Sequence, residues 1–313
     1  MEDEAAGVLL YEVGPRDGLQ NEPETVPTET KRELIRRLVA AGLRRIEVTS
    51  FVSPKWIPQL ADGDDLAADL PVREDVVYSA LVPNERGYDR FRKAGRLQVA
   101  AVFISASESH NRKNLNCSVA EQIERIRPVA ARAADDGVPL RAYVSTVCGC
   151  PFEGEVAETA VVDLTRSLLD LGVAEVSLGD TIGVGRPSQV RALIRAVADS
   201  APVERVALHF HDTYGRALAN AAAGYEAGVR TFDGSLAGLG GCPYAPGASG
   251  NAATEDLAAF FASEGVATGI DIERLADAAA WVECEVLKRP LPGRAFRAIM
   301  GRRARAAAGE GGA

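Results

Sequence analysis

The sequence predicts an α/β fold, a (β/α)8 TIM barrel with additional C-terminal helices, on three observations. Short β-rich runs alternate with amphipathic segments eight times along the chain. The eight units fill roughly 265 residues, the length such a barrel needs. The unusual polar residues fall where the strands end, which is where a barrel gathers its chemistry. A doubly wound open sheet is the competing arrangement, but eight units are many for it and no GxGxxG fingerprint follows a strand.

The elements follow in order. Strand runs are predicted at Val8–Val13, Arg45–Thr49, Val76–Leu81 and Gln98–Ile104, then at Leu140–Thr146, Glu175–Leu178, Arg205–His211 and Thr231–Leu236. The helical patterns after the first four are Thr28–Ala41, about Gln59–Asp69, Asn84–Ala94 and Ser118–Asp136. Those after the last four are Ala157–Leu171, Pro187–Ser200, Arg216–Ala227 and Thr254–Ser263. Thr28, Asn84 and Ser118 (with Glu121 three residues on) read as helix starts. Gly42, Gly95, Gly137, Gly172, Gly228 and Gly265 read as left-handed stops. Residues 1–268 are therefore assigned to the barrel, 269–308 to a helical extension and 309–313 to a tail.

Composition narrows the function. The chain has 313 residues, with 44 acidic against 35 basic and a formal charge of −9. No basic stripe marks a nucleic-acid partner. No run approaches the ~18 apolar residues of a membrane span. The acidic start, Met1-Glu2-Asp3-Glu4, is unlike a leader peptide, and five cysteines over this length make no disulfide framework, so a reduced cytoplasmic enzyme is expected. No Gly-Lys dipeptide occurs, which removes the phosphate-binding P-loop.

The seventh strand carries His209 and His211, two of the three histidines. Val206, Leu208 and Phe210 share the other face, which helices should cover. Both imidazoles then point to the axis, about 7 Å apart along the strand. Asp17, expected on a neighbouring strand, is the natural carboxylate partner. Two imidazoles, a carboxylate and an amide oxygen would favour Mg²⁺ or Mn²⁺ with positions open to substrate. Cys148 and Cys150 are expected to pack their loop, and Cys117 and Cys284 to be structural. His110, Arg112 and Lys113 form a small basic cluster after the fourth strand, with Lys55 a weaker candidate for the same anionic partner.

Several blocks resemble the hydroxymethylglutaryl-CoA lyase family. They are residues 14–22 (GPRDGLQNE), 49–56 (TSFVSPKW), 177–183 (SLGDTIG), 209–215 (HFHDTYG), 238–245 (GLGGCPYA) and 247–251 (GASGN), with Thr254-Glu255-Asp256. The resemblance implies that Asp17, His209, His211 and Asn251 hold a divalent metal, with Glu255 behind them. It implies that Arg16 faces a thioester carbonyl, that Gln20 binds substrate, that Asp180 and Glu47 surround its polar groups, and that Cys242 is a mobile catalytic thiol. Asp180 or His209 would then take the hydroxyl proton. The implied reaction is retro-Claisen cleavage of 3-hydroxy-3-methylglutaryl-CoA to acetoacetate and acetyl-CoA, in leucine catabolism and ketone-body formation. A small-molecule acyl-CoA substrate and a homodimer are expected, with no nucleic acid and no membrane. The alternatives are a sister lyase for citramalyl-CoA or an isoprenoid hydroxyglutaryl-CoA, a Claisen-type synthase, and a non-catalytic metal-bound scaffold. The chain ends Gly-Gly-Ala rather than Cys-x-Leu, so neither thiol regulation nor a peroxisomal address is expected there.

Overall fold

Runs of Val, Ile, Leu and Ala too short for helices become strands buried on both faces, as a parallel sheet covered by helices requires. The computed structural model describes residues 7–241 and 250–309. Strands β1 (Leu9–Glu12), β2 (Arg45–Ser50), β3 (Val77–Leu81) and β4 (Val99–Ser105) lead into β5 (Leu140–Ser145), β6 (Glu175–Asp180), β7 (Val206–Phe210) and β8 (Thr231–Gly234). All pair in parallel and in chain order, and β8 closes on β1 with Leu9 opposite Thr231. The closed (β/α)8 barrel is thus present.

The helices are α1 (Thr28–Ala40), α2 (Gly63–Ala68), α3 (Glu85–Ala94), α4 (Glu108–Leu115), α5 (Val119–Asp135) and α6 (Glu158–Asp170). They continue as α7 (Pro187–Ala198), α8 (Ala217–Glu226), α9 (Thr254–Ser263), α10 (Ile272–Trp281) and α11 (Arg294–Ala307). Asn84 accepts the Gly87 amide at 3.1 Å, and Ser118 with Glu121 forms a reciprocal capping box. All six stop glycines have positive φ. Thr28 differs from expectation: Pro27 is the cap residue, Thr28 lies inside α1, and its hydroxyl donates to Asp62 at 2.8 Å. The second helix begins at Gly63, after a separate 3-10 turn at Pro58–Leu60. Helix α4 has no counterpart in the sequence reading, because its eight residues are polar and lack apolar periodicity; Ser107 starts it by accepting the His110 amide at 3.0 Å. Among the described residues no helix is long and apolar enough to cross a membrane.

Helix α8 lies directly on the outer face of β7. Gly224 permits the close approach, since a methyl group there would overlap Leu208 Cδ1. Gly224→Ala should therefore destabilise the fold by about 1–3 kcal/mol, through overpacking against the strand that carries His209. Urea unfolding of the two proteins measures this, and equal midpoints would contradict it.

Candidate active site

The chain leaves β1 through a tight π turn at Gly14–Gly18. The Val13 carbonyl accepts the amides of Arg16, Asp17 and Gly18 at 3.1, 2.7 and 3.3 Å. Beneath the turn Glu12 is fully buried and accepts from the Gly14 amide (2.8 Å), the Leu236 amide (2.9 Å) and the Thr254 hydroxyl (2.7 Å). It welds the end of β1 to the segment after β8. Strand β8 stands between β1 and β7, so Asp17 is not on a strand neighbouring the histidines. The turn instead carries Asp17 inward over β8's end.

His209 and His211 both line the barrel mouth, with ring centroids 5.3 Å apart. Asn251 reaches them through the backbone. It forms an antiparallel bridge with His211, flanked by Asp212 N to Gly250 O (3.1 Å) and Ala252 N to Phe210 O (2.8 Å). Its amide nitrogen donates to Asp17 Oδ2 at 2.8 Å and to the Leu239 carbonyl at 3.0 Å. Gly240, at φ +117°, permits this approach, since a Cβ there would lie 2.7 Å from that nitrogen.

Asp17, His209 and His211 offer ligand atoms within 4.8 Å of one another. Burial pushes the Asp17 carboxyl up, but Arg16, His209 and His211 outweigh it and hold the group below its ordinary value. Burial, and then the neighbouring His209, push His211 down to about 4, so its lone pairs are available at neutral pH. Asn251 Oδ1 and His211 Nδ1 are buried without a hydrogen-bond partner. A carboxylate, two imidazoles and an orphaned amide oxygen fit a divalent ion of oxygen and nitrogen preference.

Arg16 is buried beside this set. It contacts Glu47 through Nε, donates to Asp17 Oδ1 at 2.6 Å, and sits 5.3 Å from the Tyr143 ring centroid. Tyr143 donates to Glu47 at 2.7 Å, so Glu47 is held from both sides. Gln20 donates to Asp17 Oδ1 at 3.1 Å. Arg16, Asp17, Gln20 and Tyr143 line a cavity of about 910 Å³, together with Phe103, Leu81, Trp56, Lys113 and Arg125.

Two residues expected around the substrate are held by protein groups here. Glu47 does not line the cavity; it braces Arg16. Asp180 does not line it either, because its carboxylate accepts the Val184 and Gly185 amides at 3.1 and 2.8 Å and fastens the loop after β6. Burial pushes Asp180 up to about 6. Of the basic cluster, His110 and Lys113 reach the cavity wall, whereas Arg112 pairs with Glu108 at 3.6 Å and Lys55 is exposed outside it. Cys117, Cys148 and Cys150 are buried, and Cys150 accepts the Ser107 hydroxyl at 3.0 Å. Cys284, expected to be structural, is exposed. Cys242 lies outside the described residues.

Glu255, in the first turn of α9, is buried and accepts the Ala237 amide at 2.9 Å. That bond holds Ala237 at a left-handed φ of +53° in the segment leading to Gly240. Burial, and then Asp256, push Glu255 up to about 8, and burial pushes Glu12 to about 7. Both folded values exceed the unfolded carboxyl value of about 4.3. The folded state then binds more protons between roughly pH 4.3 and 8, so stability falls as pH rises through that window, by up to about 1.4 kcal/mol per pH unit per group. Glu255→Gln should flatten the dependence, read by urea unfolding at pH 5, 6.5 and 8. An unchanged slope would contradict it.

Sequence reasoning missed Glu12, Arg141, Tyr143, Ser177 and Asp233. The available signal was a charged or hydroxyl group inside an otherwise apolar strand run. Arg141 is fully buried in the barrel, with its guanidinium 4.0 Å from the Tyr11 ring centroid and Nη2 2.6 Å from Asp233.

Comparison with known proteins adds to the geometry. The family model described as HMGL-like matches residues 8–282. The Bacillus subtilis hydroxymethylglutaryl-CoA lyase YngG is 48% identical over 287 residues, covering 92% of this chain and 95% of the relative. A Pseudomonas aeruginosa 3-hydroxy-3-isohexenylglutaryl-CoA/hydroxy-methylglutaryl-CoA lyase is 47% identical over 293 residues, covering 94% and 97%. The crystal structure of a Bacillus subtilis HMG-CoA lyase superposes with a TM-score of 0.92 at 46% identity, covering 95% of this chain and 99% of that one.

Proposed function

The chain belongs to the HMGL-like family, and from that premise we propose that it cleaves 3-hydroxy-3-methylglutaryl-CoA to acetoacetate and acetyl-CoA. The observation that carries this reading is that Asp17, His209 and His211 line a cavity of about 910 Å³ beside the buried Arg16 guanidinium, with the unpartnered amide oxygen of Asn251 next to Asp17. Those four residues would hold a divalent ion, Mg²⁺ or Mn²⁺. When bound, the ion supplies a Lewis acid that lowers the pKa of the substrate's tertiary hydroxyl.

The protein's own groups do the rest. Gln20 and Asn251 both donate to Asp17, which keeps its carboxylate aimed into the site. Asp180 or His209 takes the hydroxyl proton; as that oxygen becomes the ketone of acetoacetate, the C2–C3 bond breaks and its electrons pass to the thioester as an enolate. Arg16, held by Glu47 and Asp17 before substrate arrives, faces that developing charge without reorganisation. Cys242, whose ordinary thiol pKa of about 8.5 leaves it protonated at neutral pH, then gives a proton to the enolate carbon. Glu47 acts through Arg16. On the family resemblance we place the reaction in the cytoplasm, in leucine catabolism and ketone-body formation, with a homodimer as the assembly.

A coupled acetoacetate assay with added Mg²⁺ and then EDTA tests the proposal. Metal-dependent release is expected; no release with metal bound would remove the substrate assignment. Cys242→Ser should keep metal affinity and lose turnover, and full turnover would take Cys242 out of the reaction. A second reading has its own support. Val52, Leu81 and Phe103 give the cavity an apolar wall beside Tyr143, which suits a larger C3 substituent such as an isoprenoid chain. Relative kcat/KM on thioesters with C3 methyl and C3 isohexenyl groups, and on citramalyl-CoA, separates the two.

A further inference from the structure

A buried chain of polar groups ends on one histidine. His209 stands opposite Asp233 in the β7–β8 register, and its Nδ1 lies 3.3 Å from Asp233 Oδ2, close but not aligned as a hydrogen bond, with no other partner for that nitrogen. Asp233 is fastened more tightly than that contact. Oδ1 accepts Arg141 Nη2 at 2.6 Å; Oδ2 accepts the Ser177 hydroxyl at 2.7 Å and Arg141 Nη1 at 3.3 Å. Arg141 is itself held by Glu175 at 2.6 Å and lies over the Tyr11 ring. The two Arg141 contacts make Asp233 one half of a buried ion pair, so its carboxylate carries the negative charge that the guanidinium needs. It is therefore an ionised acceptor that cannot turn. A nitrogen facing such an oxygen must carry the hydrogen, and the other ring nitrogen keeps its lone pair.

We infer that Asp233, anchored by Arg141 and Ser177, is a positioning residue that locks His209 as the Nδ1–H tautomer, leaving Nε2 to ligate the ion that Asp17 and His211 also face. This rests on the metal-site reading above. Neutralising Arg141 alone would not require Asp233 to meet the His209 ring at all, nor to stand level with it in the register. In this arrangement both nitrogens of His209 are committed, which takes it out of contention as the acceptor of the hydroxyl proton. Carboxylates placed this way behind a metal-bound imidazole typically change metal affinity or activity by about 10–100-fold when removed.

Two measurements decide it. Long-range ¹H–¹⁵N spectra of the metal-free protein, with imidazoles neutral, read the tautomer of His209 directly, and with three histidines the assignment is tractable. The Nδ1–H pattern is expected; an Nε2–H pattern overturns the inference without any variant. Calorimetric Mn²⁺ titration of Asp233→Asn should show affinity about 10–100-fold weaker, with the His209 spectrum shifted toward the Nε2–H form. Unchanged affinity overturns the inference. If Asp233→Asn does not fold, Ser177→Ala, which leaves the Arg141 ion pair intact, should weaken Mn²⁺ binding by a few-fold, and equal affinity counts against the inference. Absence of Mn²⁺ binding by the unsubstituted protein would sink the metal-site reading instead, while its His209 spectrum would still report on Asp233.

Discussion

Replacing Arg16 by Gln is expected to lower kcat for hydroxymethylglutaryl-CoA cleavage by about 10²–10³-fold, the loss seen when one preorganised donor to a developing oxyanion is removed. The structure supplies the physical reason. Arg16 is buried, contacts Glu47, donates to Asp17 at 2.6 Å and lies 5.3 Å from the Tyr143 ring centroid, so its charge is already in place. The effect should fall mainly on kcat rather than KM, because the charge it meets develops only as the C2–C3 bond breaks. Arg16→Lys keeps the charge but not the planar fork, and one ammonium cannot hold Glu47 and Asp17 in the same geometry. Its kcat should fall between the two. Steady-state kinetics at saturating metal makes the comparison, and an unchanged kcat in Arg16→Gln would detach Arg16 from the chemistry.

His211→Ala is expected to abolish turnover and to weaken Mn²⁺ binding beyond the roughly 10–100-fold that indirect support of a ligand is worth. It is the cleanest substitution at the site. His211 Nδ1 has no hydrogen-bond partner, whereas removing Asp17 would also free Arg16, Gln20 and Asn251 from their shared acceptor. At an ion concentration 100 times the dissociation constant, the ion should stabilise the unsubstituted protein by about 2.7 kcal/mol. That thermal shift should vanish in His211→Ala, while the two metal-free melting temperatures stay close. A retained shift would mean that the ion binds elsewhere.

Much of the fold was legible because barrel strands and helices announce themselves locally. Asn84, Ser118 with Glu121, and the six stop glycines did as local chemistry predicts. Helix α4 was hidden because a short polar helix has no apolar stripe. At the site, strand alternation was enough to turn His209 and His211 together toward the axis, since Val206, Leu208 and Phe210 needed the helices' side. It could not say what stands between β1 and β7. Nor could it tell which protein groups would hold each carboxylate: Asp180 accepts two loop amides and Glu47 pairs with Arg16.

The sequence alone determined the eight-unit alternation, the inward face of β7 and, through its motif blocks, the lyase resemblance, because each depends on neighbours within a few residues. The tertiary structure alone decided how Asn251 meets Asp17, why Arg16 is held ready, and that Asp233 and Arg141 stand beneath His209. The Arg16–Glu47, His209–Asp233, Arg141–Asp233 and Asp17–Asn251 contacts join residues 24 to 234 positions apart. Only closure of the sheet brings them within hydrogen-bond reach, and only burial makes their pairing obligatory, since an unpaired polar group or charge in a dry interior is expensive.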